Sequence, residues 1–155
     1  MTGGPGLVVL AAAFLTACGG TPWQGTDLDP ARVAFSTELA VDLAEFEQSP
    51  SGLYVQDLEV GEGAGAFRGS LVYIRYAGWL PDGSLVDTSV GGPPFQFRLG
   101  ENEVIRGWNE GIQGMRVGGR RRLVVRPGLG YGSAGSARVP PDATLVFEVE
   151  LVDVR

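Results

Sequence analysis

Glu103-Val104-Ile105-Arg106-Gly107-Trp108-Asn109-Glu110-Gly111-Ile112 opens the one region of this chain that reads as a helix. Trp108, Ile112 and Met115 recur at i, i+4 and i+7, which gathers them on one face and predicts a helix over residues 106–115. Gly107, Gly111 and Gly114 interrupt it. Each interior glycine costs a helix about 1 kcal/mol relative to alanine. A helix so weakened persists only when its apolar face packs against something else, and the flanking sequence supplies a sheet.

Outward from the helix the pattern is that of strands. On the N-terminal side, Phe95-Gln96-Phe97-Arg98-Leu99 alternates apolar and polar residues, as a half-buried strand does. Residues 71–80 and 85–89 flank Pro81-Asp82-Gly83-Ser84, with Pro and Gly placed for a hairpin turn. Residues 53–60 form an earlier strand. On the C-terminal side, residues 120–127 form another, and residues 144–153 alternate and close the sheet. Phe97 and Trp79 read as core or surface. The 25 glycines and 10 prolines fall mostly between these runs. No strand–helix–strand alternation occurs, which argues against a parallel sheet. The expected fold is α+β: five or six mostly antiparallel strands in one sheet, with one short helix across it.

Composition narrows the chemistry. The net charge is −6 and the chain contains no His. The acidic balance argues against a nucleic-acid partner, and the missing His removes the commonest general base and metal ligand. The single Cys forms neither an intramolecular disulfide nor a thiolate metal site. Gly61-Glu62-Gly63-Ala64-Gly65 is a turn, since no helix follows to make it a phosphate loop. Arg120-Arg121-Arg122 reads as a solvated strand edge in so acidic a chain.

The apolar run of residues 7–15 is too short to span a bilayer, which needs about 20 residues. It suits the core of a secretory signal. Leu15-Thr16-Ala17-Cys18 resembles the bacterial lipobox, which implies acylation of Cys18 and its exposure as the mature N-terminus. On that resemblance residues 1–17 are a lipoprotein signal peptide, residues 18–50 a lipidated Cys with its tether, and residues 51–155 the folded domain. The protein is then anchored in a bacterial cell envelope, on the periplasmic side of a membrane or at the cell surface. In the arm, Leu39, Leu43 and Phe46 fit a short helix and Phe35 does not, so it is expected to pack loosely or to stay mobile.

Residues 53–155 resemble the FKBP-type peptidyl-prolyl cis–trans isomerases throughout. The residues that carry this are the 103–112 stretch quoted above, Tyr76-Ala77-Gly78 with Asp82-Gly83 and Asp87, Pro94-Phe95-Gln96-Phe97-Arg98-Leu99-Gly100, Leu129-Gly130-Tyr131-Gly132, and Val139-Pro140-Pro141-Asp142-Ala143-Thr144-Leu145-Val146-Phe147. The resemblance implies an antiparallel sheet wrapped on a short helix, with a pocket between them. It implies catalytic roles for Tyr76, Asp87, Ile105, Trp108 and Tyr131, and substrate contacts from Val86, Phe95, Val104, Val139 and Phe147. It implies no cofactor and no metal. The expected partners are proline-containing unfolded or nascent polypeptides and macrolide immunosuppressants, bound by a monomer. Val86 stands where many members carry an aromatic wall residue, and Gly91-Gly92 near where an Arg often pairs with the pocket's Asp. The loop over residues 88–94 and the flap over residues 131–140 each run about one residue short. A non-catalytic proline-peptide-binding or chaperone module is the rival these departures favour.

Overall fold

The computed structural model describes residues 29–155. The apolar run, Cys18 and the signal-peptide boundary lie outside the described residues. Among the described residues, no helix is long and apolar enough to cross a membrane.

Among the described residues, seven strands and one α-helix follow three short 3-10 turns. The strands are β1 (Glu47–Gln48), β2 (Tyr54–Glu59), β3 (Leu71–Trp79), β4 (Leu85–Thr88), β5 (Phe95–Arg98), β6 (Arg120–Val125) and β7 (Leu145–Val154). All pair antiparallel, in the order β1-β2-β6-β7-β3-β4. The long strand β3 serves two partners on one side: residues 71–74 pair with β5 and residues 77–79 with β4.

Helix α1 (Arg106–Gly111) lies across this sheet. It is shorter than the spacing predicts. Gly114 adopts φ +83, and its N–H leaves the helix to reach the Ala66 carbonyl at 2.8 Å. Met115 still joins the core, at 3% exposure, but from a turn. The two glycines inside α1 have a packing cause. A Cβ on Gly107 would lie 2.8 Å from Val125 Cγ1, and one on Gly111 2.6 Å from Leu123 Cδ2. Their absence lets the helix backbone sit directly on β6.

Alternation along β7 builds two cores. Leu145, Phe147, Val149 and Leu151 face α1 and join Ile74, Phe97, Leu99, Trp108, Ile112 and Leu123. Val146 faces the other way and packs with Tyr54 and Val124 under Phe35, Leu39, Val41, Leu43, Phe46 and Trp79. The arm therefore covers the outer face of the sheet. Its 3-10 turns are each capped by their own side chain, from Asp29, Ser36 and Asp42. That capping accounts for the failure of a single helical period there.

The arginine run is not at a sheet edge. β6 lies between β2 and β7, and its side chains are paired. Arg122 stands directly across from Glu148 in the register and bonds its carboxylate through Nε and Nη2. Arg121 clasps Asp57 on β2. Charge on an interior strand is tolerated because each guanidinium meets a carboxylate on its neighbour.

Candidate functional site

The loop before α1 brings Val104 and Ile105 to the helix entrance, and α1 carries Trp108 into the core. The indole is 6% exposed and sits at the bottom of a cavity of about 440 Å³. Four rings enclose it. Tyr76 lies 4.7 Å away at 70°, Phe147 5.3 Å at 80°, Phe95 6.1 Å at 70° and Phe97 6.0 Å at 38°. Three of these are edge-to-face contacts, the arrangement aromatic quadrupoles prefer. The indole N–H is buried with no hydrogen-bond partner among the described residues.

The walls come from separate strands. Tyr76 is on β3, Val86 and Asp87 on β4, Phe95 on β5, Phe147 on β7, and Tyr131 follows the 3-10 turn after β6. The Tyr76 hydroxyl donates to Asp87 Oδ2 at 2.7 Å, while Oδ1 accepts the Thr88 N–H at 2.9 Å. Burial first, then that hydrogen bond and the Asp87 charge, push the Tyr76 phenol well above its ordinary range. Burial and the Asp87 charge likewise push up Tyr131. Both phenols are neutral donors at neutral pH. The Ile105 N–H donates to no group among the described residues, though its carbonyl receives the Trp108 and Asn109 N–H groups.

Nine of the ten pocket residues read from the sequence line this cavity: Tyr76, Val86, Asp87, Phe95, Val104, Ile105, Trp108, Tyr131 and Phe147. Val139 does not. It is 3% exposed and packs in the core beneath the flap. Two lining residues fall outside the ten read from the sequence, Asn102 and Glu103, of which Glu103 opens the 103–112 stretch. Only their place just before Val104-Ile105 could have pointed to them. Glu103 Oε2 accepts the Arg98 N–H at 3.0 Å, and Asn109 Oδ1 accepts the Gly100 N–H at 2.8 Å. These bonds fix the loop that delivers residues 102–105.

Among the described residues no cluster of acidic or sulfur ligands is arranged to hold a metal ion. What the arrangement offers is an apolar floor, aromatic walls and polar groups that include a free Ile105 N–H, the Tyr131 phenol and the Tyr76–Asp87 pair.

Comparison with known proteins agrees with this geometry. The family model described as FKBP-type peptidyl-prolyl cis-trans isomerase matches residues 62–152. FK506-binding protein 3 of Yarrowia lipolytica is 39% identical over 133 residues, covering 81% of this chain and 33% of its own length. The 46 kDa FK506-binding nuclear protein of Spodoptera frugiperda is 47% identical over 113 residues, covering 72% and 27%. This chain thus spans between 21% and 33% of the length of curated relatives such as these. Among solved structures, AtFKBP13 superposes with a TM-score of 0.67 at 39% identity, over 72% of this chain and 99% of that one. FkpA from Escherichia coli gives 0.68 at 40% identity, over 77% and 55%.

Proposed function

Since the chain belongs to the FKBP-type peptidyl-prolyl cis–trans isomerase family, we propose that it accelerates rotation about Xaa-Pro bonds in unfolded polypeptides. The observation that carries this reading is the cavity itself: Trp108 as a dry floor, with the Tyr76–Asp87 pair, the Tyr131 hydroxyl and the unengaged Ile105 N–H at its mouth.

The barrier to prolyl rotation is about 20 kcal/mol because resonance stiffens the C–N bond. In the twisted transition state that resonance is lost and the amide is less charge-separated. Water stabilises the planar amide more than the twisted one. A cavity that excludes water and accepts the twisted geometry lowers the barrier by differential binding. Trp108 is the platform for the proline ring, and Phe95, Val104, Val86 and Phe147 close the sides. The Ile105 N–H and the Tyr131 hydroxyl donate to client carbonyls. Asp87, holding the Tyr76 hydroxyl, orients the twisted amide. No nucleophile and no proton transfer is needed.

The same cavity would take a macrolide of the FK506 type, as the names of the relatives suggest for those proteins. The lipobox resemblance supports anchoring through Cys18 at a bacterial envelope membrane, where the chain, as a monomer, would assist the folding of envelope or secreted chains. Replacing Cys18 with Ala and following membrane fractionation tests the anchor; retention of the variant in the membrane fraction would remove it.

The isomerase itself is tested by a prolyl-isomerisation assay on residues 19–155, with Tyr131→Phe as control. Acceleration that falls several-fold in the control supports the reading. A folded domain that binds prolyl peptides without accelerating them is a binding or chaperone module.

A further inference from the structure

We propose that Arg138 makes this site charge-selective, favouring polypeptides that carry a carboxylate on a residue next to the proline. The inference rests on the isomerase reading and names its client preference.

The flap is fixed from within. The Gly135 N–H reaches the Tyr131 carbonyl at 3.2 Å, the Ser136 N–H the Val139 carbonyl at 2.8 Å, and the Asp142 N–H the Gly132 carbonyl at 2.9 Å. Val139 is buried in the core and anchors the flap's end. Its neighbour Arg138 points outward, with the side chain 72% exposed and Nη1 3.8 Å from Asp87 Oδ1. That distance is an ion pair but lies outside hydrogen-bond reach.

Neither partner depends on the contact. Asp87 already receives the Tyr76 hydroxyl on Oδ2 and the Thr88 N–H on Oδ1. Arg138 is engaged by no side-chain hydrogen bond among the described residues. Arg121 shows the opposite condition: it bonds both Asp57 oxygens and the Gly111 carbonyl, and its side chain is 14% exposed. Arg121 is consumed by the fold, whereas Arg138 keeps its donors in a planar fork that matches a carboxylate bidentately.

Its position gives those donors a use. Asp87 and Tyr131 both line the cavity mouth, so a cation within ion-pairing distance of Asp87 stands beside the path of a bound chain. The lining side chains include two carboxylates, Asp87 and Glu103, and no cation. Left alone, that rim would repel an acidic client. Arg138 offsets that repulsion on the flap side. Because its pair with Asp87 is exposed and weak, it exchanges readily for a client carboxylate.

The test is kcat/KM for peptides with Glu, Ala or Lys placed on either side of the proline, with calorimetric binding of the same peptides, at low and high salt. In the wild-type chain the Glu peptide should exceed the Lys peptide about three- to fivefold at low salt, the range of an exposed ion pair. The gap should close at 1 M salt, where screening acts within about 3 Å. Arg138→Gln should level the series and Arg138→Glu should invert it. The side chain is exposed and carries no structural hydrogen bond, so both variants should fold. Equal kcat/KM across the wild-type series, or an order unchanged in Arg138→Glu, overturns the assignment and leaves the isomerase reading intact. Binding that follows charge without acceleration of any peptide overturns the isomerase reading and leaves charge selection standing.

Discussion

The face of the sheet turned toward α1 and the face turned toward residues 29–48 both keep a hollow, and the two hollows differ in lining. Toward the helix, about 440 Å³ is bounded by Tyr76, Phe95, Trp108 and Phe147. Toward the arm, about 330 Å³ is bounded by Glu38, Leu39, Trp79, Arg122 and Glu148. The second space is crossed by an ion pair: Arg122 bonds Glu148 and, through Nη1, the Ala40 carbonyl at 3.2 Å. It fastens the arm and offers nothing to an amide that must lose its water. The first combines aromatic walls with unspent donors on Ile105 and Tyr131. A hollow becomes a site through what its lining leaves unsatisfied, and volume alone does not decide it.

If the two faces are separable in this way, substitutions on them should separate stability from activity. The largest effect is expected from Trp108→Ala, which empties the centre of the inner core. It should cost about 3–5 kcal/mol of stability and abolish prolyl-peptide binding. Chemical denaturation with circular dichroism measures the first and calorimetry the second; normal affinity in a folded variant would place the site elsewhere. Phe46→Ala, on the outer face, should cost roughly 2 kcal/mol, below the fully buried range because the ring is only half-buried. Peptide turnover should not change. A turnover loss there would mean that the faces are coupled. The double variant should lose close to the sum of the two costs, since the sites lie on opposite sides of the sheet.

Gly111→Ala is expected to cost about 1–2 kcal/mol, because crowding against Leu123 outweighs the gain in helix propensity. Activity should drop with it as α1 is lifted and Trp108 moves. The smallest effect is that of pH. The pocket contains no His, and Tyr76 and Tyr131 are held protonated beyond the ordinary tyrosine value of 10.0. A phenol raised on folding adds stability that is complete below pH 10.0 and is lost as pH climbs toward the folded value. Turnover should therefore be flat between about pH 6 and 8, and the two tyrosines' contribution to thermal stability should be lost in the alkaline range. A steep rate change near neutrality would require a titrating group that this mechanism lacks.

The strands were legible in the sequence because alternation and turn residues mark them one by one. Residues 71–80 and 144–153 lie close to where β3 and β7 lie. Three features needed the third dimension. The helix stops at Gly111 because Gly114 finds a hydrogen bond on the Ala66 segment, a contact that periodicity does not contain. The Arg run sits inside the sheet because Glu148 and Asp57 stand on adjacent strands, which depends on strand order and not on local charge. The arm packs because the outer face offers Tyr54, Val124 and Val146, although its own spacing fits no single period. In the site, residues within recognisable segments line the cavity, except that Val139 turns inward to hold the flap. Asn102 and Glu103 come along with the loop.

The strand order also has a kinetic meaning. β7 is the last strand in sequence, yet it lies between β6 and β3 and spans both cores. Its partner β3 begins at Leu71, so the pairing Val72↔Val154 joins residues far apart in the chain. Until residues 145–154 are available, neither hydrophobic face can close and α1 has no complete surface to rest on. Sheets dominated by such distant pairings fold in milliseconds to seconds, well behind helical bundles of like size. A nascent chain is therefore expected to keep both faces open until residues 145–154 can pair.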